Sequence, residues 1–498
     1  MKLKKYIYSS LLVCLSLTTN SCSDWLTLEP ENDLIKEEYW QTQSDVEATL
    51  TGSYYALVKN CFSYCFMWGE LRADELLATL KTSSSYQQIM SNIITSSSSL
   101  VNWSSFYGAI NVANNVIAYA EGVKDVDMSF TDEECDALVA EAYFIRSLSY
   151  FYLVRAFKDV PFITEPSADD GQDYDVAKSD EMVILDAIIA DMEAYQDLAY
   201  ESFSTIERTK GRATKGAMNA LLADMYLWRG SIKEGNGDDG TADYNLCVEA
   251  CERVRSLDYT LVPGSDWFTI FYPGNSSESI FEMQFDLDLG LSNNLIYWFS
   301  TTSGYQFTAG GTVTALYDVN QDDVRGEGST FITLDNSEAE VWKHLGTKSS
   351  TSSTSDRRSD SATDNNFIVY RLSDIYLLEA EARLLINPLD STAEELIRSI
   401  KERASIAPGE WLPDVYEVLN ERQRELAFEG KRWFDLLRYA RRSEEGRQII
   451  INLLLASVSA TERPYFETKY NDINSYYFPI YYNELQENQN LEQNPFYL

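Results

Sequence analysis

Histidine is almost missing from this chain: His344 is the single one in 498 residues. One imidazole cannot furnish the ligand set of most transition-metal sites, and it disfavours histidine-based catalysis. Cysteine is scarce too, seven in all. Cys14 lies in the N-terminal leader and Cys22 at its end. Of the rest, Cys61 and Cys65 form one four-residue spacing, Cys247 and Cys251 another, and Cys135 stands alone. An odd count in that pattern is no disulfide framework. With His344 in a different region from both pairs it is no zinc site either, so buried free thiols on helices are expected. Positive charge is short, with 40 Lys and Arg against 78 Asp and Glu and a net charge of −38. Such a surface repels nucleic acid, and no Lys/Arg cluster could track phosphates, so no nucleic-acid partner is expected. The apolar run Ile7–Leu17 is about half the ~20 residues needed to span a bilayer.

That run belongs to a leader. Met1-Lys-Leu-Lys-Lys5 is basic, the apolar core follows, and Thr18-Thr-Asn-Ser21 precedes Cys22, the pattern of a secretory signal peptide over residues 1–21. A cysteine at the first mature position implies a lipoprotein, its thiol carrying diacylglycerol and its new amine another acyl chain. At ~0.8 kcal/mol per buried CH₂, several chains anchor firmly where one would be marginal. The alternative is an ordinary secreted protein: Thr19 and Ser21 also satisfy a small-x-small cleavage rule, and Thr19 stands where a typical lipoprotein signal has leucine. Both place the body outside the cytoplasm.

What the chain has in quantity is helix and aromatic rings. Ala137–Phe157 runs without Gly or Pro and stops before Pro161. Further helices are expected over 180–197, 214–228, 244–254, 371–385 and 393–404, with the longest over Tyr416–Arg441. They fall into pairs, 137–157 with 180–197, 214–228 with 244–254, and 371–385 with 393–404. Ala140, Ala142, Gly216, Ala217, Ala220, Ala223, Ala380 and Ala382 sit where neighbours would approach closely. Such packing is tetratricopeptide-like, though the spacing is too irregular for a strict repeat. Residues 258–370 break the pattern: helix-poor, rich in Ser, Gly, Asn and Asp, with a strand expected over Ser279–Phe285 and a polar loop over Lys348–Asp364. The chain therefore reads as mostly α, with a helical scaffold (22–257 and 371–498) carrying an irregular, loop-rich insert (258–370) with a few short strands. Mixed charges at three- and four-residue spacings along 421–441 suggest ion pairs that lock neighbouring segments together, each contributing about 0.5 kcal/mol where exposed.

Five ordered stretches resemble one family. They are ALVAEAYFIRSLSYFYLVRAFKDVPFI (137–163), Arg212-Ala-Thr-Lys-Gly-Ala217, Tyr370-Arg-Leu-Ser-Asp-Ile-Tyr-Leu-Leu-Glu-Ala-Glu381, Glu421-Arg-Gln-Arg-Glu-Leu-Ala-Phe-Glu-Gly-Lys-Arg-Trp-Phe-Asp-Leu436, and a close formed by Tyr477-Phe-Pro-Ile480 with Asn488-Gln-Asn-Leu-Glu-Gln-Asn-Pro495. Together they resemble the SusD/RagB family of Bacteroidota nutrient-uptake lipoproteins over nearly the whole chain. The resemblance implies a single SusD-like domain (22–498), exposed on the cell and anchored to outer-membrane lipid through Cys22. It implies binding of oligosaccharide, or in some members peptide, and delivery to a SusC-like TonB-dependent transporter. It implies no catalysis and no cofactor.

No motif fixes the ligand residues. Trp68-Gly-Glu-Leu-Arg-Ala-Asp74 falls where many family members line the binding face. An indole for stacking with Arg72 and Asp74 for hydroxyls would suit a sugar; equally, Trp68 is core and Arg72–Asp74 a surface pair. Trp103, after a serine-rich loop, invites the same reading, and Tyr297, Trp298 and Tyr305 in the insert could form a facing wall. The acidic pairs Asp286/Asp288 and Asp322/Asp323 do not match the spacing of a calcium loop, and no metal is assigned. A surface glycoside hydrolase is the competing class. It would need two carboxylates about 5–10 Å apart in a cleft, a pair that 78 acidic residues can always supply.

Overall fold

The computed structural model describes residues 39–498 apart from 168–173, 319–321, 335–337, 351–354, 407–412 and 457; the leader and Cys22 lie outside the described residues, as does part of the polar loop 348–364. The principal helices are α1 (Gln43–Ala56), α2 (Phe62–Glu70), α3 (Ser104–Val123), α4 (Asp132–Phe157), α5 (Glu181–Tyr195), α6 (Lys215–Gly235) and α7 (Thr241–Arg255). After them come α8 (Gly311–Asp318), α9 (Leu372–Ile386), α10 (Ser391–Arg403), α11 (Val415–Leu426), α12 (Arg432–Arg442) and α13 (Glu444–Leu455).

Local chemistry sets the ends of α4. The Thr131 N–H donates to the Glu134 carboxylate at 3.0 Å, while the Glu134 N–H donates back to Thr131 Oγ1 at 3.3 Å, a closed capping box. The helix ends where Lys158 turns to φ +70, just before Pro161. By length and composition α4 could cross a membrane, yet nearly all of it is buried inside the protein; it is the central core helix.

The three expected helix pairs form, as α4 with α5, α6 with α7, and α9 with α10. α3 packs on the other side of α4, and α7 also packs on α9, so consecutive pairs stack side by side. Ala140, Ala142, Ala217, Ala220, Ala223, Ala380 and Ala382 are all fully buried at these contacts, where a methyl group lets two backbones approach. Cys61, Cys65, Cys135, Cys247 and Cys251 are buried free thiols. Burial pushes the Cys65 thiol up to about 12.

One expectation for the C-terminal signature fails. The continuous helix over 416–441 does not exist: α11 stops at Leu426 and α12 starts at Arg432, because Phe428 (φ +64) and Gly430 (φ +73) both adopt the left-handed region between them. α4, at 26 residues, is longer than either. The ion pairs expected of this segment do join it to its neighbours, Arg422 to Asp374 at 2.7 Å and Arg438 to Glu381 at 2.7 Å, but inside the protein. Glu421, Arg422, Glu425, Glu429, Arg432, Asp435 and Arg438 are all buried, so the small value expected for surface pairs does not apply.

The insert is stitched in at both ends. Counting strands as β1 (Leu76–Ala78), β2 (Ser279–Met283), β3 (Phe307–Ala309) and β4 (Phe367–Arg371), β2 pairs antiparallel with β4, Ser279 opposite Arg371 and Met283 opposite Phe367. All five residues of β2 are buried, so this strand is covered on both faces. β4 then runs directly into α9. β1 and β3 form a second antiparallel pair, with Leu76, Leu77 and Ala78 opposite Ala309, Thr308 and Phe307. Residues Thr42–Leu498 form one compact unit.

Candidate functional site

The stretch Trp68–Asp74 is a mount, not a ligand surface. Trp68 is 1 % exposed. Its ring stacks on Phe106 at 5.0 Å, meets the edge of Phe157 at 5.1 Å, and its Nε1–H donates to the Leu100 carbonyl at 2.9 Å. Both faces and the polar edge are therefore occupied by protein. Arg72 is equally buried, its guanidinium 4.1 Å from the Trp433 ring and donating to Asn92 Oδ1 (2.8 Å) and the Ser475 carbonyl (2.8 Å). Asp74 pairs with Arg432 at 2.9 Å, which holds its carboxyl below the usual range against the opposing effect of burial. The sugar-binding reading of Trp68 is thus corrected to core, and the alternative of an Arg72–Asp74 surface pair does not form either: Arg72 is buried against Trp433 and Asp74 pairs with Arg432, the two bordering a separate depression of about 230 Å³.

What this mount carries is the insert. The Gly310 N–H donates to the Glu75 carbonyl at 2.6 Å, and Thr312 Oγ1 donates to the Asp74 carbonyl, seating the start of α8. On the other side of the mount, Gly69 packs so closely that a Cβ there would fall 1.7 Å from the Gly430 carbonyl oxygen. The buried Glu70 and Glu75 carboxylates accept from the Gly430 and Phe428 N–H groups, each at 3.0 Å, holding the left-handed turn between α11 and α12. His344 fastens the same turn: its Nε2 pairs with the Phe428 carbonyl at 2.8 Å, and burial pushes its pKa down to about 4. The lone histidine is a structural, neutral one.

Between β1/β3, α8 and residues 323–333 and 338–339 lies a cleft of about 740 Å³. Leu77, Tyr317 and Phe331 give it apolar and aromatic surface; Thr308, Thr314 and Thr333 give hydroxyls; Asp323, Glu327 and Glu338 give carboxylates. These side chains are held in place. Tyr317 Oη donates to the Arg424 carbonyl at 2.6 Å. Glu327 accepts from the Thr333 N–H and Oγ1, both at 2.8 Å. Asp323 accepts from Arg325 Nε at 2.9 Å and Nη2 at 2.8 Å. Arg325, fully buried behind the cleft, continues to Glu421 at 2.7 Å and Glu425 at 2.9 Å on α11. Its three carboxylate neighbours hold its pKa well above the ordinary value despite burial.

Of the residues singled out in sequence, Tyr305 touches a residue that lines this cleft, Glu338. Its Oη donates to Glu338 Oε2 at 2.6 Å. Burial and that carboxylate raise its pKa, so the phenol stays a protonated donor at any physiological pH. Its backbone sits at φ +43, an uncommon conformation for a bulky residue and of the kind that gathers at ligand sites. Tyr297 is on the same tight loop, its carbonyl accepting the Tyr305 N–H at 3.2 Å, and its side chain is 51 % exposed. Trp298 is buried between the rings of Tyr86 (5.8 Å) and Phe307 (6.2 Å) and offers no face; that assignment is corrected to core.

Trp103 is not at this cleft. It is 2 % exposed, packs edge-on to Phe157 at 5.1 Å, and forms the base of a separate groove of about 290 Å³ with Tyr107, Tyr174 and Glu484. The two depressions share no lining residue, so the single platform of Trp68, Trp103 and Trp298 does not assemble. Sequence reading missed Tyr317, Phe331, Glu327 and Glu338. The signal available was charge: residues 305–341 hold seven acids and one base, Arg325.

Comparison with known proteins matches this architecture throughout. A model of the SusD family matches residues 296–497, and one described as "Starch-binding associating with outer membrane" matches residues 24–227. SusD-like protein P2 of Formosa agariphila is 24 % identical over 473 residues, covering 86 % of this chain and 90 % of its own. A SusD-like protein of Bacteroides ovatus is 24 % identical over 475 residues, covering 88 % and 83 %. Among solved structures, a SusD superfamily protein of Bacteroides vulgatus superposes with a TM-score of 0.75 at 20 % identity, over 92 % of this chain and all of the other. A laminarin-binding SusD-like protein superposes with a TM-score of 0.71 at 19 % identity, over 91 % and 99 %.

Proposed function

The chain belongs to the SusD family, and from that premise we propose that it is a non-catalytic receptor that grips oligosaccharide in the cleft of its insert. The observation that carries this reading is the cleft itself: about 740 Å³, walled by rings and aliphatic surface, with threonine hydroxyls and carboxylates at intervals. Pyranose C–H faces pack on such rings while sugar hydroxyls donate to fixed acceptors. A likeness to a laminarin binder favours glycan over peptide as cargo.

The same geometry argues for holding over cutting. A glycosidase needs a carboxyl free to act as acid and a second free to act as base or nucleophile. Here all three lining carboxylates are fixed as hydrogen-bond acceptors, Asp323 by Arg325, Glu327 by Thr333 and Glu338 by the Tyr305 hydroxyl. The leader and Cys22, with the outer-membrane association of the matched family, support a lipid-anchored position on the outer membrane facing the exterior. There the protein would pass glycan to a SusC-like transporter. The test is a glycan array with the full mature chain, followed by chromatography of each bound glycan after prolonged incubation. Retention of intact glycan supports a receptor; release of shorter products supports the glycoside hydrolase.

A further inference from the structure

We infer that the cleft selects uncharged glycans and turns away those bearing uronate or sulfate, with Glu327 and Glu338 as the residues that set this choice; the inference rests on the glycan-receptor reading above. Among the described residues the lining carries three carboxylates, Asp323, Glu327 and Glu338, and no lysine, arginine or histidine. The sequence around it reinforces the sign, since 305–341 contain seven acids and a single arginine. That arginine cannot meet a ligand. Arg325 is fully buried, and its guanidinium is shared among Asp323, Glu421 and Glu425.

Lys81, Lys343, Lys348 and Arg357, cations of the described insert and its edge, do not line the cleft. Lys348 pairs with Asp356 at 3.1 Å. Arg357 is held by Glu340 at 2.8 Å, and Lys343 is buried against Glu429 at 2.9 Å. Lys81 is exposed, with Nζ 3.4 Å from the Ser303 carbonyl, and does not line the cleft.

Two physical effects then act together. A concave wall of one sign focuses its field into the space a ligand must enter. The Debye length is roughly 8 Å at physiological salt, so these carboxylates still act on a charged group brought against the wall they line. Recognition of an anionic sugar also needs an arginine or lysine to replace the water its charge loses on entry, and none is offered. Neutral hydroxyls meet the opposite situation. They donate to Glu327 and Glu338, whose donors within the protein include Thr333 and the Tyr305 phenol, and bonds to ionised acceptors are the stronger kind.

The experiment uses the mature chain on an array of neutral glucans, including maltohexaose and laminarihexaose, beside hexagalacturonate and sulfated oligosaccharides, with calorimetry on every hit. The expected result is a neutral hit with Kd at least about tenfold below that of any anionic glycan of equal length. The gap should narrow at about 1 M salt, where the Debye length falls to roughly 3 Å. The double variant Glu327→Lys/Glu338→Lys should gain anionic binding by about tenfold or more and reverse its salt dependence. An anionic glycan that binds as tightly as the neutral ones, with or without added calcium, and loses affinity in Tyr305→Ala, overturns the selectivity while leaving the receptor reading intact. An array with no binder of either class overturns the receptor reading itself.

Discussion

Arg325 Nη1 lies 2.7 Å from Glu421 Oε1, joining the floor of the insert's cleft to the first helix of the C-terminal signature. The charge-rich segment whose sequence resembles the SusD/RagB family is thus bonded to the wall of the insert's cleft. Around it Arg371 pairs with Glu278 (2.8 Å) and Glu429 (2.8 Å), and Arg422 with Asp374 (2.7 Å) and Asp435 (2.8 Å), all buried. A buried pair of this kind adds little stability over an apolar pair, but removing one partner strands the other.

Arg325→Ala should therefore lower unfolding free energy by about 3–5 kcal/mol, since Glu421, Glu425 and Asp323 all lose their shared cation. Urea unfolding followed by tryptophan fluorescence measures it. Arg325→Ala combined with Glu421→Gln should recover part of the loss; a double variant as unstable as the sum of the two singles would contradict the pairing.

Trp68 and Tyr305 should separate cleanly. Trp68→Ala empties a closed pocket in the core and should cost about 3–5 kcal/mol of stability. Tyr305→Ala should leave Tm within a few degrees and weaken glycan binding about tenfold, a change of about 1.4 kcal/mol. Calorimetric titration beside thermal melts reads both quantities, and a stable Trp68→Ala with lost affinity would restore the ligand role withdrawn from it.

Gly69→Ala should not yield a stable fold. Its methyl carbon would fall 1.7 Å from the Gly430 carbonyl oxygen and 3.1 Å from the Phe434 ring, with backbone on the far side and no flexible side chain to move. Soluble expression and circular dichroism test this, with Gly108→Ala, where nothing lies within 4 Å, as the variant expected to fold.

Stability should fall as pH rises through the titration of Glu70 and Glu75. Burial raises both above the ordinary glutamate value of 4.5, and Glu75's proximity raises Glu70 further. Oε1 of each is buried with no donor from the rest of the protein, so a proton held between the two carboxyls satisfies both. The folded state then binds more protons than the unfolded one at any pH above 4.5 and below the folded pKa. Across that window each extra proton makes stability decline by about 1.4 kcal/mol for every pH step of one. Glu70→Gln keeps an acceptor for Gly430 and gives Glu75 a permanent donor. The difference between variant and wild-type stability should grow in the variant's favour from about pH 5 to about pH 8, as measured by urea midpoints; a constant difference would contradict the shared proton.

Much of the scaffold was legible because helix periodicity, capping and chain-stopping residues are local. Ala137–Phe157 and its pairing with 180–197 needed only apolar spacing and Pro161. The break at 427–431 was hidden: only Gly430 marks it, inside a run of good helix formers. The burial of Glu425 and Arg371 was hidden for another reason, that charge reads as surface unless its partner, 54 residues away, is known. Trp68 and Tyr305 show the limit for sites. Both are aromatic residues beside polar ones, and only non-local packing decides which ring is closed in by protein and which reaches a residue of the cleft.

Hydrogen–deuterium exchange of the mature chain, with and without its best glycan from the array, tests most directly where the cargo sits. Bound glycan should slow exchange in 305–317 and 323–339 and leave the groove around Trp103 and Glu484 unchanged. Protection confined to that second groove, with the insert untouched, would contradict the cleft as the binding site.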